Sequence, residues 1–170
     1  MVRNEYGFTL IELLVVIALC MLLATLGMVQ LSFLDETITH AQVHKIAIVC
    51  SYLQQKAMAS NSEQILVCDE YKNEYRGDNV NETLSPRVCF GFLPNVLGSP
   101  GSPAHRITKA ITFPGSAIHF YPTGVISSGT LYLTDKNKKI MYALSNAVSP
   151  VSYLRLYRYD GYDGKWKLLH

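Results

Sequence analysis

Residues 13–34 hold 22 consecutive positions without a charged side chain, and no other feature limits so strongly what this chain can fold into. At about 1.5 Å of helical rise per residue, such a run exceeds the roughly 30 Å hydrocarbon core of a bilayer. It predicts a membrane-spanning helix. The run is too long for the apolar centre of a secretory signal, and no small-residue cleavage site follows it. A lipidated-cysteine signal is excluded too, because Leu19, just before Cys20, is too large for that chemistry. Arg3 and the amino terminus precede the run, whereas Asp35 and Glu36 follow it. The short amino-terminal arm is therefore expected in the cytoplasm and the remainder beyond the membrane.

At 170 residues the chain has room for one such segment and one modest domain. After residue 34 the pattern becomes amphipathic: Val43, Ile46, Ala47, Cys50, Leu53 and Ala57 recur at helical spacing and mark one apolar face. This predicts a helix from about residue 8 to residue 60, ended by Asn61 and Ser62, with its second half packed under a globular head. From Gln64 onward, short alternating segments bounded by Gly, Pro, Asn and Asp predict strands at 64–69, 87–92, 107–113, 117–121, 129–134, 139–145, 152–159 and 165–169. Residues 93–103, rich in proline and glycine, are expected to form a surface loop. The expected class is α+β, a long amino-terminal helix on an all-β, mostly antiparallel head.

One carboxylate, Glu12, stands just before the uncharged run. Such a group within hydrocarbon costs about 2.5 to 3.5 kcal/mol on insertion scales unless it finds a partner. Residues 7–13, Gly-Phe-Thr-Leu-Ile-Glu-Leu, closely resemble the cleavage site and first mature residues of type IV prepilins and type II secretion pseudopilins. The resemblance implies cleavage by a prepilin peptidase between Gly7 and Phe8, N-methylation of Phe8, and pairing of Glu12 with the new amine of a neighbouring subunit, which sets axial register. It also implies an inner-membrane assembly platform and other pilin subunits as partners. The inferred divisions are a leader at 1–7, a membrane and filament-core helix at 8–34, an amphipathic helix at 35–62 and a periplasmic β-rich domain at 63–170. The carboxy-terminal half is similar to the GspH/FimT-like branch of that superfamily, in "ITFPGSAIHFYPTGVISSGTLYLTD" and "LRLYRYDGYDGKW".

The remaining chemistry-bearing residues point away from an enzyme. Serines, histidines and aspartates lie outside any nucleophile motif, and no cofactor is expected. Cys68 and Cys89 enclose the acidic segment 69–82, and if their strands pair they can form a disulfide in an oxidising compartment. Buried free thiols, or a bridge from Cys50, are the alternatives. His40 and His44 share the i, i+4 spacing of a two-histidine metal face but have no evident third ligand, so no metal site is expected. Residues 69–82 lack calcium-loop spacing and read as a solvated loop.

Residues 103–170 carry nine Lys and Arg against three Asp and Glu. Within them, Arg155, Tyr157, Arg158, Lys165 and Lys167 interleave cations with aromatics, the composition that contacts phosphates and stacks bases. Some FimT-like minor pilins bind DNA through a basic carboxy-terminal motif. The alternative reading is therefore a DNA-binding minor pilin serving DNA uptake, although Arg-Leu-Tyr-Arg here replaces the Gly-Arg-x-Arg form.

Overall fold

The computed structural model describes residues 9–100, 102–146 and 153–169; of residues 26–33, 99 and 102–104 it describes the backbone alone. It divides into two compact units, Met1–Leu34 and Asp35–His170. Helix α1 runs Leu10–Ser60 without a proline. Asn61 then takes the left-handed conformation at φ 50°, and the Ser62 N–H donates to the Ala57 carbonyl at 3.2 Å. This six-to-one bond is the Schellman termination for which asparagine is a tolerated residue.

In the first unit the described side chains of α1 are all exposed, including Leu10, Ile11, Leu14, Val15, Leu22 and Leu23. A helix that is apolar on every side requires an apolar environment or partner helices. Among the described residues no helix is long and apolar enough to cross a membrane. The uncharged run continues through residues 26–33, whose side chains lie outside those described.

The described residues of the second unit form eleven strands: β1 (Gln64–Asp69), β2 (Glu74–Gly77), β3 (Val80–Thr83), β4 (Val88–Phe90), β5 (Leu97–Ser99), β6 (Ser102–Arg106), β7 (Ala117–Phe120), β8 (Gly129–Asp135), β9 (Met141–Asn146), β10 (Arg155–Asp160) and β11 (Lys165–Leu169). They form one sheet in the order β3-β2-β1-β7, a second in the order β11-β10-β9-β8-β4, and a β5-β6 hairpin, with antiparallel pairing throughout. The class is α+β.

Val43, Ile46, Cys50, Leu53 and Ala57 have zero exposure and join Leu66, Tyr75, Ile118, Phe120, Leu131, Leu133, Tyr142 and Leu144 in the main core. The opposite face of the second sheet is covered as well, where Tyr132, Met141 and Ala143 meet Val96 and Ile107, with Tyr157, Tyr159 and Trp166 packed around them. This second layer is why every residue of β9 is buried, with no polar-out alternation.

Several expected elements differ. Residues 69–82 are not a solvated loop, since β2 and β3 form a hairpin there. Asn73 and Asn79 provide its left-handed corners at φ 54° and 55°, and Tyr75 has zero exposure. Lys45 pairs with Glu82 at 2.9 Å and Lys56 with Asp78, fastening that hairpin to α1. Residues 93–103 are partly the β5-β6 hairpin, and 107–113 is no strand: only Ile111 bridges to Leu131, while Ile107, Ala110 and Phe113 are buried from irregular backbone.

The expected Cys68–Cys89 disulfide is corrected. Cys68 lies on β1 of the first sheet and Cys89 on β4 of the second, so their strands do not pair, and both thiols are free. Burial pushes the Cys68 thiol up to about 12, which leaves it un-ionised and unreactive near neutral pH.

Gly129 opens β8 against Phe113, where an added Cβ would stand 2.5 Å from the ring and 2.9 Å from the Phe113 Cα. The backbone half of that clash has no rotamer escape. Gly129→Ala is expected to cost about 1 to 3 kcal/mol, the usual range for overpacking, read as a lower urea midpoint of Trp166 fluorescence in micelles at unchanged slope.

Candidate functional site

The amino-terminal candidates are Gly7, Phe8 and Glu12. Gly7 and Phe8 lie outside the described residues. At Glu12 the structure adds a feature that sequence reasoning overlooked. The Glu12 Oε2 accepts the Thr9 backbone N–H at 2.8 Å and the Thr9 hydroxyl at 2.9 Å, while the Thr9 Oγ1 lies 3.4 Å from the Glu12 N–H. Thr9 is thus the N-cap of α1 and Glu12 its third helical residue, a capping box that satisfies otherwise orphaned amides. The signal was present as Thr-x-x-Glu ahead of an apolar run. Both Thr9 bonds fall on one oxygen, and among the described residues Oε1 has no hydrogen-bond partner.

The two histidines meet. Their Nε2 atoms are 3.1 Å apart, and the His40 ring stands edge-on to Tyr142 with centroids at 5.7 Å. His40 titrates below its ordinary 6.5, first through desolvation and then through the His44 ring, with Arg158 adding to the shift and Glu36 opposing it. Among the described residues no three His, Cys, Asp or Glu side chains are grouped to hold a metal.

The carboxy-terminal candidates are brought onto one hairpin but not onto one face. Arg158 pairs with Lys167, and Asp160 with Lys165, across β10-β11, which puts these four side chains on one side of the sheet. Arg155 and Tyr157 occupy the other. Arg158 is bound to Glu36 at 2.6 Å, and Lys167 to Asp160 at 2.5 Å. Arg155 donates a hydrogen bond to the Tyr153 hydroxyl oxygen and stacks over its ring at 4.8 Å. The aromatics are occupied in packing: Trp166 donates its indole N–H to the Gly98 carbonyl at 2.8 Å, and its ring centroid lies 5.3 Å from that of Tyr159. A phosphate chain would have to displace the carboxylates from Arg158 and Lys167, whereas Arg155 and Lys165 are in no ion pair among the described residues.

A groove of about 580 Å³ runs between α1 and β10-β11, lined mainly by Ala47, Leu144, Leu154, Leu156, Leu168 and Leu169, with His44, Tyr153 and Arg155 as its charged or titratable members. Among the described residues its lining contains no nucleophile with an adjacent base, and no paired carboxylates for acid and base work.

Residues 2–28 match the family model described as the prokaryotic N-terminal methylation motif. This supports a type IV pilin-like precursor. The motif implies processing by a prepilin peptidase and assembly with other pilins, and it suggests a membrane-anchored, secreted pilin. The chain matches no curated protein and no solved structure.

Two outcomes follow from this geometry. Thr9→Ala removes the cap side chain and is expected to cost the first turn roughly 1 kcal/mol, or about fivefold faster amide exchange at residues 11 and 12 in micelles. Because His40 is depressed in the folded chain, the unfolded chain takes up the proton first as pH falls. The stabilising contribution is therefore intact above 6.5 and is lost on acidification through and below it. His44→Gln, which removes the second ring, is expected to shrink that loss in urea midpoints measured across pH.

Proposed function

We propose that the chain is a structural minor pilin or pseudopilin subunit of the GspH/FimT-like kind, and not a catalyst. It is inserted in the bacterial inner membrane as a precursor, with its amino terminus cytoplasmic and residues 63–170 periplasmic. Cleavage after Gly7 and methylation of Phe8 prepare it for assembly into a type IV pilus or a type II secretion pseudopilus. The observation that carries this reading is the methylation motif over residues 2–28, with an acid, Glu12, at the edge of an uncharged run.

The physical logic supports the assignment. Thr9 supplies two neutral donors to one Glu12 oxygen but does not neutralise the charge, and a carboxylate in apolar surroundings needs a cation. Cleavage at Gly7 creates an amine on Phe8. In a bundle of parallel helices the Glu12 carboxylate of one subunit meets that amine on the next. The apolar surface on every side of the described part of the first unit is what such a bundle would bury.

Mass spectrometry of the mature protein tests the reading. The expected species is the 163-residue chain that begins at Phe8 and carries one added methyl group. A mature chain beginning at Met1 would overturn it. Glu12→Ala is expected to leave membrane insertion intact and to reduce filament incorporation at least tenfold in sheared-filament blots; normal incorporation would remove the register role.

A further inference from the structure

One end of the second sheet gathers several connections. Register pairs Val88 with Asp135, Thr134 with Met141, Met141 with Tyr159 and Asp160 with Lys165. The residue before β4, the β8-β9 turn and the β10-β11 turn therefore share that end. The first residues of the unit are fastened there: Asp35 accepts from Arg87 at 2.8 Å and from Asn137 at 3.3 Å, and Glu36 pairs with Arg158 at 2.6 Å.

The surface there carries a surplus of unengaged positive charge. Lys136, Lys138, Lys139 and Lys165 are exposed, and none is in an ion pair among the described residues. The acids of the two turns are committed elsewhere. Asp135 is 1% exposed and accepts the backbone N–H groups of Asn137, Lys139 and Ile140 at 3.1, 2.7 and 2.8 Å. Asp160 and Asp163 both hold Lys167, at 2.5 and 3.5 Å. Asp160 also accepts the Tyr162 N–H at 2.9 Å, which shapes a turn whose tip, Tyr162, is 98% exposed. These are built turns, so the lysines and the tyrosine project from fixed backbone.

We infer that this end of the Asp35–His170 unit docks on an anionic phospholipid surface, with the four lysines at the headgroups and Tyr162 at the interface. The inference rests on the membrane-anchored reading proposed above. A bilayer that holds residues 13–34 has its surface next to residue 35, and Asp35 and Glu36 are the residues fastened among these turns. A lysine near an anionic bilayer raises partitioning by about fivefold, and the attraction decays within a Debye length. Tyrosine favours the headgroup level. A second copy of the same face is a poor occupant, because identical lysine clusters would oppose each other.

The full chain reconstituted in vesicles tests this, with phosphatidylcholine alone compared with phosphatidylcholine mixed with phosphatidylglycerol. Lysine acetylation by a water-soluble reagent is read by mass spectrometry, and resistance to alkaline carbonate extraction reports insertion. The expected result is several-fold slower acetylation of Lys136, Lys138, Lys139 and Lys165 in mixed vesicles only, reversed by salt, with exposed Lys109 beside the middle of β8 unchanged. Tyr162→Ser is expected to weaken the protection and leave insertion intact. Equal acetylation in both vesicles of an inserted chain overturns the inference and leaves the proposed function standing. Protection that follows protein concentration in either lipid assigns the surface to a second copy and overturns it as well. A chain extracted from both vesicles overturns the anchored reading, and the inference with it.

Discussion

Burial of one face of α1 is the constraint on which the second unit depends. Val43, Ile46, Cys50, Leu53 and Ala57 are spaced three or four residues apart and all have zero exposure, so the helix offers a single continuous seam. Each large aliphatic member contributes about 1.5 to 3 kcal/mol on leaving water. The first sheet meets that seam closely. A Cβ placed on Gly77 of β2 would lie 3.2 Å from both the Leu53 and Leu66 methyl groups, so helix and β1 already converge on that glycine. The second sheet contributes Leu131, Leu133, Tyr142 and Leu144 to the same cluster.

Ion pairs then orient what burial holds together. Lys45 and Lys56 reach the β2-β3 hairpin, while Asp35 and Glu36 reach Arg87 and Arg158. Each such exposed pair is worth little alone, typically below about 1 kcal/mol. Their joint effect is positional: four contacts spread along one helix leave few ways to rotate it against the sheets. They also decide which cations remain available. Pairing removes Arg158 and Lys167 from the surface surplus and leaves the β8-β9 turn as its centre.

Much of this was legible where periodicity had one physical cause. The 3.6-residue repeat in 43–57 named the buried helix face, except that Ala47 is only partly covered, and the strands at β1, β7, β8, β9 and β11 fall within two residues of the expected ones. Strand alternation in β10 places Arg155 and Tyr157 on one face and Leu156 and Arg158 on the other. What local pattern could not convey was the layer lying across that aromatic face, because Leu93 and Val96 belong to residues 93–103, whose prolines and glycines read as loop. The same limit applied to Cys68 and Cys89. Nearness in sequence suggested one sheet, but strand order assigns β1 and β4 to two, and order is set by long-range packing. The β2-β3 hairpin escaped notice because Tyr75 is its only buried residue, too few for a visible period.

At the other end of the chain, Glu12 answers two demands that differ in kind. Capping is satisfied by neutral donors from its own Thr9, and it orders the first turn without cancelling the charge. Charge cancellation requires a cation, and hydrocarbon makes that requirement stringent. A glutamine could meet the first demand and not the second; a glutamate with no cap could meet the second only from a frayed and mobile turn. The Thr-x-x-Glu spacing holds one oxygen of the side chain by its own chain, while the other has no partner among the described residues. A carboxylate fixed in this way can report position along a bundle, since a helix displaced by one turn would shift it by about 5.4 Å and leave it unpaired. In the proposed assembly the cap would turn that charge into a measure of register.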